Sequence, residues 1–188
     1  VDQADVLVHA RAAADIVGAT KMDRPEWITV HPHNDEVFVS LTNNSDRGQQ
    51  DNVGKDAANP RNQNLFGHII KFSEADATAT EFSWQVLAGE GEGEQFANPD
   101  GLNIDDRGVL WIQTDVSASV LNDGAFKQFG NNQMLAADPA TGEIRRFLTG
   151  PVGCEVTGVI MTPDMKTMWV NIQHPGEMLD VLQRRGIN

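Results

Sequence analysis

The sequence predicts an all-β fold, part of a β-propeller preceded by one α-helix, and three observations carry that expectation. A strand–turn–strand unit occurs three times, as 24–30 into 37–39, 98–104 into 110–112, and 155–160 into 168–170. Each unit returns through an aromatic residue flanked by apolar ones: Phe38, Trp111 and Trp169. Each also opens on polar or acidic residues, with Glu26, Asp100 and Glu155 near the starts. Repetition of one hairpin at long spacing marks a propeller, in which the inner strands of successive blades begin at a shared axis. Carboxylates at equivalent positions then converge.

The elements follow in chain order. Residues 1–19 read as a helix: Asp2 caps it, Val6, Leu7, Ala10, Ala13, Ala14 and Val17 recur at helical spacing, and Gly18 offers a stop. Its polar face carries few basic residues, which fits packing against protein rather than a membrane surface. Residues 24–89 form the first expected blade, adding strands at 68–72 and 81–87. Residues 98–149 form the second, adding strands at 133–137 and 143–148, joined by Asp138-Pro139-Ala140-Thr141-Gly142. Pro presets that turn and Gly permits positive φ. Residues 155–188 begin a further blade. Two long irregular stretches remain, 42–67 and 89–99, and loops of such length are functional or disordered. The Glu/Gly tract in the second lacks the Asp spacing of an EF-hand and reads as an acidic loop.

Counting tests the register. Glu26 to Phe38 is twelve residues, Asp100 to Trp111 eleven, and Thr157 to Trp169 twelve. The third unit therefore aligns on Thr157, with Glu155 two residues earlier and on the same face. The total is about two and a half blades, whereas closed propellers use about four to eight. Residues 1–188 are thus expected to be the C-terminal portion of a single larger domain, with the remaining blades upstream.

Composition narrows the partners. The chain has 188 residues, 27 acidic against 14 basic, for a formal charge of −13. A surface this negative repels nucleic-acid backbones, so no nucleic-acid partner is expected. No apolar run reaches the ~18 residues of a membrane span, and the stretch 178–183 is interrupted by Asp180. Cys154 is the single cysteine, which excludes an internal disulfide and a multi-cysteine zinc site.

Candidate chemistry centres on carboxylates. Arg24-Pro25-Glu26 sets a guanidinium and a carboxylate two residues apart, and Pro25 favours an extended Arg24, which puts them on one side. A carboxylate ligates hard cations while a nearby Arg grips an oxyanion; a structural ion pair is the competing account. Asp100, in Asn98-Pro99-Asp100-Gly101, either closes a turn or repeats Glu26 as a ligand. Glu155 precedes an apolar strand, where a paired or metal-bound state is expected. Three such charges repel unless cations sit among them. The serines lack a nucleophile-elbow context. The five histidines show no metalloprotease spacing, and His31 and His33 border a turn, so surface histidines are expected.

A family resemblance rests on ordered motifs: Arg24-Pro25-Glu26-Trp27, Leu41-Thr42-Asn43-Asn44, Asn59-Pro60-Arg61, Gly67-His68-Ile69, Pro99-Asp100-Gly101-Leu102, Leu110-Trp111-Ile112-Gln113-Thr114-Asp115, Phe129-Gly130-Asn131-Asn132-Gln133-Met134, Gly153-Cys154-Glu155-Val156-Thr157-Gly158 and Asn171-Ile172-Gln173-His174-Pro175-Gly176-Glu177. Together they resemble the C-terminal part of PhoX-type alkaline phosphatases. The resemblance implies a six-bladed propeller with an axial site holding iron (Fe3+) and calcium (Ca2+), which hydrolyses phosphate monoesters after export to the periplasm or exterior. It implies that Arg24 binds substrate phosphate, that Glu26 and Asp100 ligate metal, that Glu155 joins them, and that His174 faces the site. The family's iron-bridging cysteine belongs to an upstream motif, so Cys154 is read as a small buried residue.

Two other functions compete: a propeller scaffold holding structural calcium, and a calcium-dependent propeller lactonase. The pairing of Arg24 with Glu26 favours phosphate over lactone, because a lactone offers no anion for the guanidinium.

Overall fold

The computed structural model describes residues 2–89, 96–175 and 186, so most of the Glu/Gly tract and the stretch 178–183 lie outside the described residues. Among the described residues, ten strands form three antiparallel sheets, each with its strands in sequence order. The first holds β1 (Pro25–Val30), β2 (Val37–Leu41), β3 (His68–Glu74) and β4 (Phe82–Ala88). The second holds β5 (Pro99–Ile104), β6 (Leu110–Thr114), β7 (Gln133–Ala137) and β8 (Ile144–Thr149). The third pairs β9 (Glu155–Met161) with β10 (Met168–Gln173). β1 packs beside β5, and β5 beside β9, which lines up the leading strand of each sheet.

Alternation along β6 builds the interior. Ile112 joins Phe38, Ile69, Leu102, Leu110 and Leu135 between the first and second sheets. Trp111 points the other way, onto Met134, Val156 and Val159 between the second and third. A strand covered on both faces reads as continuous apolar sequence, and all of β6 is buried. Each fully buried Ile or Leu contributes roughly 1.5–3 kcal/mol. A third cluster, Ala97, Val116, Leu121 and Phe129 with Phe66 and Phe126, closes one end of the layers.

Several strands run past their expected ends. β2 continues through Ser40, β6 through Gln113 and Thr114, and β10 through Asn171 and Gln173. These extensions carry polar residues that hydrophobic periodicity does not mark. The N-terminal segment also departs from expectation, as two short helices, α1 (Gln3–Val8) and α2 (Ala10–Ile16), separated at His9. His9 has φ −109° and ψ 34°, outside helical geometry. Asp2 caps α1 as expected, reciprocally with Asp5 at 3.0 and 3.2 Å.

The stretch 42–67 is organised by buried polar groups. Arg47 is 1% exposed and donates from Nε to Asp23 Oδ1 at 2.5 Å, from Nη1 to Gly54 O at 2.8 Å, and from Nη2 to the Lys21 carbonyl. Asp23, wholly buried, also accepts from Asn64 Nδ2 at 3.0 Å. Asn64 in turn lies 3.0 Å from His68 Nδ1, and His68 Nε2 lies 2.8 Å from Ala58 O. His68 is therefore interior, not a surface histidine, and burial holds its imidazole below the usual value. Gly67, at φ +73°, lies against the Leu41 and Thr42 carbonyls where a Cβ has no room. His33 is exposed as expected, and its Nε2 contacts Asp106 O at 2.8 Å, linking the hairpin turns of the first two sheets.

Because Asp23 has no solvent to fall back on, removing its partner leaves a buried charge. Arg47→Ala is expected to lower unfolding stability by about 3–5 kcal/mol in a denaturant titration; a loss below about 1 kcal/mol contradicts the assignment of this pair as the anchor of the loop.

Candidate functional site

The open ends of the leading strands share one construction. Pro25 pairs with Leu41 and Pro99 with Thr114, and in both ladders the leading strand then carries one extra residue before pairing resumes at Ile28 and Leu102. Glu26 and Asp100 sit in these bulges. A bulge re-aims side chains, and bulges gather beside active sites. In the third sheet the extra residue falls later, around Gly158, and Glu155 pairs with Gln173 at the strand's first position. The imperfect register of the third repeat is thus a shifted bulge.

The residues before both prolines share an uncommon backbone. Arg24 and Asn98 have φ of +55° and +52°, so Arg24 is left-handed rather than extended. The strain is held by matching hydrogen bonds: Thr42 N donates to Arg24 O at 3.1 Å, and Asp115 N to Asn98 O at 2.9 Å. Arg24 still reaches Glu26, Nη2 to Oε1 at 3.3 Å, and donates from Nη1 to Asn43 Oδ1 at 2.9 Å.

The carboxylate oxygens of Asp100, Asp115 and Glu155 lie within 4.8 Å of one another. One cation can touch all three, and an all-carboxylate donor set suits a hard ion. Glu155 accepts from Gln173 Nε2 at 3.1 Å, while His174 Nε2 lies 3.9 Å from its Oε2 and 2.8 Å from Gln173 Nε2. A cavity of about 200 Å³ opens beside the cluster, lined by Asp115, Ser117, Asn132, Cys154, Glu155 and His174. Cys154 is a free, buried thiol.

Like charge dominates the electrostatics. Burial, then the charges of Asp115, Asp100 and Glu26, push Glu155 up to about 7 against the opposing influence of His174. Burial, then Glu26 and Asp115, raise Asp100 to about 6, with Arg24 opposing. Asp115 is raised by burial and Glu26, against His174 and Arg24. The charge of Glu26 thus acts on all three, and the charge of Arg24 on Asp100 and Asp115.

The structure therefore brings Asp100 and Glu155 together, sets His174 at their edge, and leaves Arg24 and Glu26 on the neighbouring rim. Sequence reasoning missed Asp115. The repeat drew attention to carboxylates at strand starts, yet antiparallel pairing puts the exit of each second strand beside the start of the first. The exits are Thr42-Asn43, Asp115 and Gln173-His174.

The raised carboxyls fix a sign. Without cations, Asp100 and Glu155 hold more protons in the folded protein than in the unfolded chain between about pH 4 and 7, so these groups reduce stability as pH rises through that window. In chelator, Glu155→Gln is expected to melt above wild type near pH 8, by a margin that shrinks toward about pH 4. A wild type that melts higher at about pH 8 contradicts the crowded-charge reading.

Comparison with known proteins gives two findings. A family model described as alkaline phosphatase PhoX matches residues 1–176. The solved structure "Pseudomonas fluorescens PhoX in complex with vanadate, a transition state analogue" is 47% identical, with a TM-score of 0.85. The similarity covers 94% of this chain and 33% of that one, so this chain spans about a third of its relative's length. No curated protein matches. With the match running from the first helix to the residues beside His174, this chain belongs to the PhoX family of alkaline phosphatases.

Proposed function

We propose that the protein carrying this chain is a metal-dependent phosphoric monoester hydrolase, and that these residues form one side of its active site. The observation that carries the reading is the guanidinium of Arg24 standing on the rim of the Asp100–Asp115–Glu155 cluster, its charge acting on two of the three carboxylates. Anion-gripping and cation-gripping groups side by side are what a phosphate ester and its counter-ions require. The vanadate bound by the Pseudomonas fluorescens relative supports a phosphoryl substrate.

In this reading the three sheets are blades of one propeller, 24–89, 98–149 and the start of a third at 155, within a ring of six. Support comes from the side-by-side leading strands and from apolar faces left bare at both sides of the stack. Trp27, Ile28 and Val30 of β1 and Ile160 and Trp169 of β9 and β10 are 47–65% exposed. The remaining blades of the same protein are the natural cover for them.

Arg24 binds the substrate's phosphoryl oxygens. Its two Nη atoms are already oriented by Asn43 and Glu26, so little side-chain freedom is lost on binding. Asp100, Asp115 and Glu155 hold calcium and iron with Glu26 at the margin, and His174 sits where it can meet a substrate or leaving-group oxygen. Bound there, the cations would supply Lewis-acid polarisation of the phosphoryl group. No helix among the described residues is long and apolar enough to cross a membrane, and the family likeness favours a periplasmic or secreted enzyme.

Arg24→Ala is expected to lower kcat/KM for p-nitrophenyl phosphate by roughly 100-fold or more with metal content unchanged, and Arg24→Lys to recover only part of it, because an ammonium lacks the forked donors. Full activity in Arg24→Ala removes this residue from the substrate site.

A further inference from the structure

Ser40 lies on β2, wholly buried, one residue before Leu41. Its hydroxyl touches both carboxylate-bearing bulges at once. Trp27 N, in the bulge with Glu26, donates to Ser40 Oγ at 3.0 Å. Ser40 Oγ lies 2.7 Å from the carbonyl oxygen of Asp100, in the bulge of the next sheet. The other acceptor it meets among the described residues, Trp27 O, is at 3.5 Å. A serine hydroxyl has one proton, so these distances fix its direction: Ser40 accepts from Trp27 and donates to Asp100.

We propose that Ser40 is a positioning residue, a single hydroxyl that sets the spacing between Glu26 and Asp100 across two adjacent sheets. The inference rests on the phosphatase reading for its catalytic consequence and on the hydrogen bonds alone for its geometry. The corresponding place on the second sheet does not repeat the device. Gln113, one residue before Thr114, is also wholly buried, but both polar atoms of its amide lack a partner among the described residues. That amide packs against Gly101, where a Cβ would strike its oxygen. The link from one bulge to the next is therefore particular to Ser40, and Glu155 is oriented separately by Gln173.

A backbone carbonyl tethered from the neighbouring sheet moves its own residue when the tether is cut. Ser40→Ala deletes one oxygen and leaves the apolar packing in place, whereas Ser40→Thr keeps the donor and acceptor. Catalytic constellations tolerate displacements of about 0.5 Å. In the full-length protein, the Ser40→Ala crystal structure is expected to show the Glu26–Asp100 separation changed by more than about 0.5 Å. Its kcat on p-nitrophenyl phosphate is expected to fall about 10-fold with KM held within about twofold, the loss of one buried hydrogen bond. Ser40→Thr is expected to stay within about twofold of wild type in kcat. An unchanged carboxylate separation in Ser40→Ala overturns the proposal. So does a lowered melting temperature with wild-type kcat, which marks a purely structural serine, or a Ser40→Thr variant as impaired as Ser40→Ala. If wild type itself fails to turn over the ester, the phosphatase reading falls alone, and the measured separation still decides the role of Ser40.

Discussion

The constraint on which this site depends is the crowding of negative charge at the open ends of three sheets. Asp100, Asp115 and Glu155 approach within 4.8 Å, with Glu26 acting on all of them, and among the described residues the charges of Arg24 and His174 oppose. Such an arrangement is costly in the absence of cations, and the raised proton affinities of Asp100 and Glu155 express that cost. The fold tolerates it because the backbone leaves the side chains no alternative. Paired ladders fix the strand ends, bulges turn Glu26 and Asp100 out of the regular alternation, and strained residues before each proline are pinned by hydrogen bonds from the opposite strand.

Rigidity behind the charges has an identifiable source. The buried ion pair of Arg47 with Asp23 ties the 42–67 stretch to the residue that precedes Arg24. Apolar clusters on both sides of β6 lock the second sheet between its neighbours. The rim that carries Arg24 is thus anchored from behind by polar contacts, while the strands that carry the acids are anchored by packing. Bistable motion is not required of either part.

The strands were legible because their apolar residues alternate or run continuously, and the repeated aromatic at Phe38, Trp111 and Trp169 set the register. Glu26 and Asp100 were legible as candidates because the repeat put them at equivalent starts, and Glu155 because it shares a strand face with Thr157, the aligned position. What periodicity did not show was polar. The ends of β2, β6 and β10 run through Ser40, Gln113 and Gln173, and the site is assembled from those ends. Asp115 was hidden for the same reason, as a residue just past a strand whose partner position follows from pairing and not from hydropathy. The buried Arg47, Asp23 and His68 were illegible because charged and polar residues in an Asn/Asp/Gly-rich stretch read as surface loop. The left-handed Arg24 ran against the ordinary preference of a residue before proline, which here yields to tertiary hydrogen bonds.

The central claim, that the three acids form a cation site, is tested most directly by anomalous diffraction from crystals of the full-length, metal-loaded protein. The account predicts a cation peak in contact with Asp100, Asp115 and Glu155. Metal bound elsewhere in the molecule, with no peak among these three carboxylates, would contradict it.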